Sequence, residues 1–194
     1  MREGRCIRAT RETEIELAVA LDAGFGSATA LTGRRFFDHM LGAFAAHGRI
    51  GISGYARSLD GIEHHLIEDF ALTLGSALDD ALADRAGVER FGSAYVPMDE
   101  TLVRAAIDLS GRPFARIALP IGRERVEDLD AQLVTHFFRS LAQTMRATLH
   151  IDLIAGEDGH HIIEAAFKAT ARACAQAWAP TGSSAIASTK GVLA

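Results

Sequence analysis

Two short stretches place imidazoles and a carboxylate at helical spacing: EHHLIED at residues 63–69 and GHHIIEA at residues 159–165. In the first, His64 and His65 precede Glu68 by four and three positions, and in the second His160 and His161 stand in the same relation to Glu164. Residues three and four apart share a helix face, so each glutamate can be paired with either member of its histidine pair. Adjacent helical residues diverge by about 100°, so neighbouring imidazoles cannot both aim at one ion, and two targets are implied. The same offset sets His39, in DHMLGAFAAHGRIGIS (38–53), against His136, in THFFRSLAQTMRATLH (135–150). The set is then six histidines and two glutamates, three and one for each ion, with only His47 and His150 of the eight histidines left over. Neutral imidazole with one carboxylate suits a divalent Mn, Fe or Zn, and the lack of thiolates argues against a structural zinc site. Four protein ligands leave open positions on a six-coordinate metal, which is a catalytic arrangement. A single such pair is usually a solvated helix contact; its repetition, with matching upstream histidines, carries the metal reading.

The elements that must position these residues also occur twice. Sliding the chain on itself by about ninety-six residues superposes the two histidine-pair helices. Further upstream, RETEIELAVALDAG (11–24) parallels DETLVRAAIDLSG (99–111), which sets Glu12 against Glu100. Residues 13–21 and 101–109 alternate as half-buried strands do, whereas LIEDFALTLGSALDDALAD and IIEAAFKATARACAQAWA carry apolar residues at three- and four-residue intervals. Turn-forming residues in LDAGFG (21–26) and GRPF (111–114) mark reversals between strands. The pattern predicts an α+β, internally duplicated domain, each half a β-sheet with two α-helices packed on one face. The expected divisions are a first half at 1–86, a second at 87–180 and a substrate-binding tail at 181–194, with the boundary in ADRAGVER (83–90). Neither half need fold alone, since both helix pairs can share one core.

Composition narrows the function classes. The net charge of -5 argues against a nucleic-acid surface, and 48% hydrophobic residues suffice for a sizeable core. The first residues carry scattered charges rather than a secretory apolar segment, and no apolar run approaches the ~20 residues of a membrane span. A soluble, cytoplasmic protein with no membrane partner is expected, with Cys6 and Cys174 as reduced thiols. Glu12, Arg90, Arg112, Lys168 and Lys190, taken singly, read as solvated charges, and His150 as a satisfied histidine.

Taken together, FFDHMLGAFAAHG, HHLIED, RFGSAYVPMDE, DLSGRPF, HFFRSLAQTMRATLH, GHHIIEAAFKA and STKGVL resemble, in order and spacing, the imidazoleglycerol-phosphate dehydratase family of histidine biosynthesis. The resemblance runs from about Arg8 to Leu193; no phosphatase segment precedes it, as expected of the monofunctional form. It implies a 24-subunit shell with two Mn2+ per active site, formed between subunits. By that pattern His39, His65, His160 and Glu164 hold one ion, and His64, Glu68, His136 and His161 the other. The resemblance also implies substrate contacts from Glu12, Arg90, Arg112, Lys168, Ser188 and Lys190, with His47 in the stretch lining the pocket; among these Glu12 is the candidate for proton transfer. The cationic members and the serine hydroxyl suit a phosphate dianion.

The chain departs from the family pattern at Gly42 and Ala43, where Asp-Gln is usual, and at Ile62, Glu63, Leu66 and Ala187. A raised KM is expected from the first two. The alternatives are a different di-metal protein or a non-catalytic metal-binding shell. Oxygen-activating di-metal bundles use Glu-x-x-His, the reverse order, and more carboxylates. A storage shell needs no anion-binding set.

Overall fold

The computed structural model describes residues 1–24, 26–122 and 124–193. The first half runs β1 (Glu3–Ala9), β2 (Thr13–Ala20), β3 (Ser27–Ala28), α1 (Arg35–Gly48), β4 (Gly51–Ser58) and α2 (Glu63–Leu82). The second runs β5 (Phe91–Met98), β6 (Thr101–Asp108), β7 (Phe114–Ala118), the short pair β8 (Arg125–Val126) and β9 (Leu129–Asp130), then α3 (Gln132–Thr144), β10 (Thr148–Ala155) and α4 (Gly159–Ala177). Both main sheets have the same order, β1-β2-β4-β3 and β5-β6-β10-β7, each antiparallel except for the last, parallel neighbour. The expected α+β class with two similar halves is what the chain forms.

Strand alternation explains the layering. On β2, Thr13, Ile15, Leu17 and Val19 are buried, and on β6 so are Thr101, Val103, Ala105 and Ile107. A period of two sends these to one face of each sheet, where α1 and α2 cover the first and α3 and α4 the second. The helix pairs then pack on each other, α1 against α4 and α2 against α3, so the four helices lie between the two sheets and share one core.

An aromatic cluster joins all four helices. Phe37 of α1 lies edge-on to Phe70 of α2 at 5.6 Å and to Phe137 of α3 at 5.4 Å, and Phe137 stacks on Phe167 of α4 at 5.1 Å. All four rings are essentially inaccessible. Phe137→Ala is expected to cost about 3–5 kcal/mol, the usual range for emptying a buried aromatic site. Denaturant unfolding of the metal-free protein measures it; a loss below about 1 kcal/mol would mean that the two halves do not depend on this junction.

The β8–β9 pair was not anticipated, and it does positional work. Asp128, in its turn, accepts hydrogen bonds from the backbone N–H groups of Arg35 (2.8 Å) and Phe36 (2.9 Å). It thereby caps α1 across the halves, where Arg34 offers no side-chain cap of its own. A helix leaves its first N–H groups unpaired and favours negative charge there. Helix α4 is capped locally, by Asp158 on the N–H groups of His160 (2.8 Å) and His161 (3.1 Å). Both caps fix the turn that presents candidate ligands.

Candidate metal centre and anion cleft

The first cluster joins α1 to α4. His39 Nε2 lies 3.5 Å and His160 Nε2 3.2 Å from the same oxygen, Oε2 of Glu164. The other carboxylate oxygen of Glu164 accepts a hydrogen bond from Lys168 Nζ at 2.7 Å. Burial alone would push the Glu164 carboxyl up, but the Lys168 bond and charge, with His39 and His160, hold it below the ordinary carboxylate range.

The second cluster joins α2 to α3. Here His64 Nε2, at 3.3 Å, and His136 Nε2, at 3.2 Å, converge on Glu68 Oε2. His136 Nε2 is buried and makes no hydrogen bond, despite its closeness to the carboxylate. Each cluster therefore takes residues from both halves, and each draws its His/Glu pair from one turn of a helix, at positions i and i+4.

The donor set fits a divalent metal. Charge-assisted N–H···O bonds are normally about 2.7–2.9 Å long, whereas here two imidazoles crowd one oxygen at 3.2–3.5 Å. Two donors that each sit about 2.1 Å from a common ion are roughly 3 Å apart, which is closer to what is seen. Three ligand atoms meet in each cluster, His39, His160 and Glu164 in one and His64, Glu68 and His136 in the other. No thiolate competes: Cys174 is fully buried, which pushes its thiol up to about 12, and Cys6 lies outside both clusters.

His65 and His161 stand apart from these clusters within the chain. Each ring is turned almost perpendicular to that of its neighbour, His64 or His160, with centroids 6.0 and 6.1 Å apart. The divergence expected of adjacent helical residues is thus realised. Nδ1 of His65 pairs with Asp60 at 2.7 Å and has Glu12 at 3.7 Å, while Nδ1 of His161 pairs with Glu100 at 2.8 Å.

The predicted anion contacts divide into two groups. Arg90, Arg112, Ser188 and Lys190 line one cleft of about 610 Å³, together with Ala187 and Thr189. Within it Arg90 is largely engaged: its guanidinium is bidentate to Asp108 (2.7 and 3.1 Å) and donates to the Ala187 carbonyl at 2.7 Å. Arg90 thus fastens the tail, leaving Arg112 and Lys190 as the cations less committed to the protein. Lys168 lies instead at the first cluster, and its charge, with burial foremost and Arg172 adding, pushes the His47 imidazole down. A second cleft, about 440 Å³, is lined by His39, His160, Phe36 and the β8–β9 residues Glu127 and Asp128. A hollow of about 620 Å³ over the outer face of the first sheet, lined by Ala18, Ala20, Thr29 and Ser53, brings no candidate residue together.

Asp60, Glu127 and Asp128 were missed from sequence, and Glu100 was noted only as the counterpart of Glu12. The available signal was weak and reached only Asp60, which stands three residues ahead of α2.

Fold and site define a class, α+β proteins of two similar halves that carry paired His/Glu clusters and a separate cationic cleft. The sequence model of the family described as imidazoleglycerol-phosphate dehydratase matches residues 32–174. The chain is 45% identical over 193 residues to the imidazoleglycerol-phosphate dehydratase of Chlorobium luteolum, covering 99% of this chain and 96% of the relative. It is 46% identical to that of Heliobacterium modesticaldum, over the whole of both chains. Among solved structures, the dehydratase of Pyrococcus furiosus superposes with a TM-score of 0.82 at 37% identity, over 96% of this chain and 99% of that one. That of Staphylococcus aureus gives 0.82 at 34% identity, over 92% and 99%. The chain belongs to the imidazoleglycerol-phosphate dehydratase family. It is an enzyme, a dehydratase and so a lyase, of histidine biosynthesis. No helix among the described residues is long and apolar enough to cross a membrane.

Proposed function

We propose that the protein converts D-erythro-imidazole-glycerol phosphate to imidazole-acetol phosphate and water, with two Mn2+ per active site. The observation that carries the metal dependence is the convergence of two imidazole nitrogens on one carboxylate oxygen in each cluster. One ion is assigned to His39, His160 and Glu164 with His65, and the other to His64, Glu68 and His136 with His161. Since His65 and His161 lie outside the clusters within a chain, a neighbouring subunit supplies them, in a 24-subunit assembly. When bound, the metals supply Lewis acidity toward the imidazole ring of the substrate. The halves 1–86 and 87–180 are read as an internal repeat, and 181–194 as the substrate-binding tail.

The chain's own residues have separate tasks. Arg112, Lys190 and Ser188 bind the phosphate dianion, with Arg90 holding the tail in place. Lys168 and His47 stand beside the first cluster, apart from that phosphate-binding group within the chain, and join it in the substrate pocket through the assembly. Net loss of water takes a hydroxyl from one carbon and a proton from its neighbour, and the enol left behind becomes the ketone. Glu12, half exposed next to His65, is the group that moves the carbon-bound proton.

The test is turnover of imidazoleglycerol phosphate by the purified chain, followed through the absorbance of the ketone under alkali. Absence of product would reject the reading. Arg112→Ala should raise KM about 10- to 100-fold, as expected for a lost hydrogen bond between charged groups worth about 1.5–3 kcal/mol. An unchanged KM would remove Arg112 from the site. A KM raised by Gly42 and Ala43 is part of this reading; with Ala43 in place of the usual Gln the amide that could reach the phosphate is missing, so Ala43→Gln should lower KM.

A further inference from the structure

The two halves hold their detached histidines by different carboxylates. Glu12 immediately precedes β2 and Glu100 immediately precedes β6, so the two occupy equivalent places. In the second half Glu100 Oε2 is 2.8 Å from His161 Nδ1, and its other oxygen accepts from Thr101 Oγ1 at 2.8 Å and from the Asp158 N–H at 3.1 Å. In the first half Glu12 is 3.7 Å from His65, beyond hydrogen-bond range, and Asp60 takes the ring nitrogen at 2.7 Å. Asp60 stands four residues before His64, and Gly156 stands four before His160. Gly156 has φ +136°, and a Cβ there would collide with the Thr101 side chain, so no carboxylate can stand at that place in the second half.

We infer that Asp60 and Glu100 are positioning residues, each holding one histidine at Nδ1 so that its Nε2 is left as a metal-ligating lone pair, and that Asp60 thereby releases Glu12 for the substrate. A carboxylate on Nδ1 receives the N–H, which fixes the tautomer and the ring orientation and makes Nε2 more basic. Glu100 is itself fixed by its other bonds, so the ring it holds has a defined direction. The side chain of Glu12, by contrast, is 51% exposed, and its carboxylate makes no hydrogen bond among the described residues; the bond to Thr10 Oγ1, at 3.1 Å, is donated by its backbone N–H. A carboxylate doing the work of Glu100 is not available to move a proton; one relieved of it is. The inference rests on the proposed ligand roles of His65 and His161.

Mn2+ titration of the full-length protein, read by the electron paramagnetic resonance of free Mn2+, separates these roles without reference to turnover. Glu100→Ala and Asp60→Ala should each weaken Mn2+ binding about 10- to 100-fold, the usual effect of removing a carboxylate behind a ligating histidine. Glu100→Gln and Asp60→Asn, which retain an acceptor oxygen and the side-chain size, should recover part of that loss. Glu12→Gln should bind Mn2+ with unchanged affinity while losing turnover. His161→Ala and His65→Ala are the controls. If they weaken binding but Glu100→Ala and Asp60→Ala do not, the positioning roles are overturned. If the histidine variants also bind as the parent does, the ligand reading itself fails and the inference falls with it. If Glu12→Gln weakens Mn2+ binding as much as Asp60→Ala, the division of labour between the two carboxylates is wrong.

Discussion

Glu68→Ala should reduce kcat by about 10³-fold or more and halve the Mn2+ content per chain. The reason lies in how one oxygen organises its cluster. His64 Nε2 and His136 Nε2 reach the same Glu68 Oε2 at 3.3 and 3.2 Å, from two different helices. Without the carboxylate, two imidazoles face each other with ring centroids 4.5 Å apart and no negative charge between them. The metal reading assigns them a divalent cation, whose stabilisation of transition-state charge is worth several kcal/mol; each 1.36 kcal/mol is tenfold in rate. Fold should survive, because Glu68 is only partly buried and the core of α2 is built from Leu66, Ile67, Phe70 and Leu74. Elemental analysis and steady-state kinetics on one preparation give both numbers. Full activity, or a full complement of metal, would remove Glu68 from the ligand set.

Glu12→Gln should lower kcat by about 10²- to 10⁴-fold, the usual range for loss of general acid–base catalysis, with little change in KM. Gln keeps the size and an acceptor oxygen but cannot take a proton at this position. The place of Glu12, at the start of β2 and ahead of the buried Thr13, is rigid: Thr13 Oγ1 donates to Asp69, itself held by Arg8 Nε at 2.7 Å. The side chain therefore projects from a fixed base beside His65. The pH–rate profile of the variant should lose one limb relative to the parent. Near-normal turnover with the same profile would show that another group transfers the proton.

The parts of this architecture that could be read from sequence are those governed by local periodicity. Alternation over residues 13–21 and 101–109 gave the two half-buried strands, seen as Thr13–Ala20 and Thr101–Asp108. The i, i+4 rule gave the His64/Glu68 and His160/Glu164 pairs, and both are in contact. Matching the halves brought forward His39 and His136, each of which joins the cluster nucleated on the other half's helix or on its own helix's packing partner. Partners that depend on tertiary approach were not legible. Asp128 is ninety-odd positions from the helix it caps, and Glu100 is 61 positions from His161, so nothing local marks either. Arg90 shows the converse: taken singly it reads as a solvated charge and only the family resemblance makes it an anion contact, while Asp108 and the Ala187 carbonyl take up much of its donor capacity. The strand pair β8–β9 has only two residues in each strand, too short for any periodic signal.

The central claim is that a protein with these clusters dehydrates its substrate only when the clusters are filled. It is tested by stripping the full-length protein with a chelator and measuring turnover of imidazoleglycerol phosphate before and after Mn2+ is added back. The account predicts negligible turnover when stripped, and recovery as Mn2+ approaches two ions per chain. Undiminished turnover by fully stripped protein would contradict it.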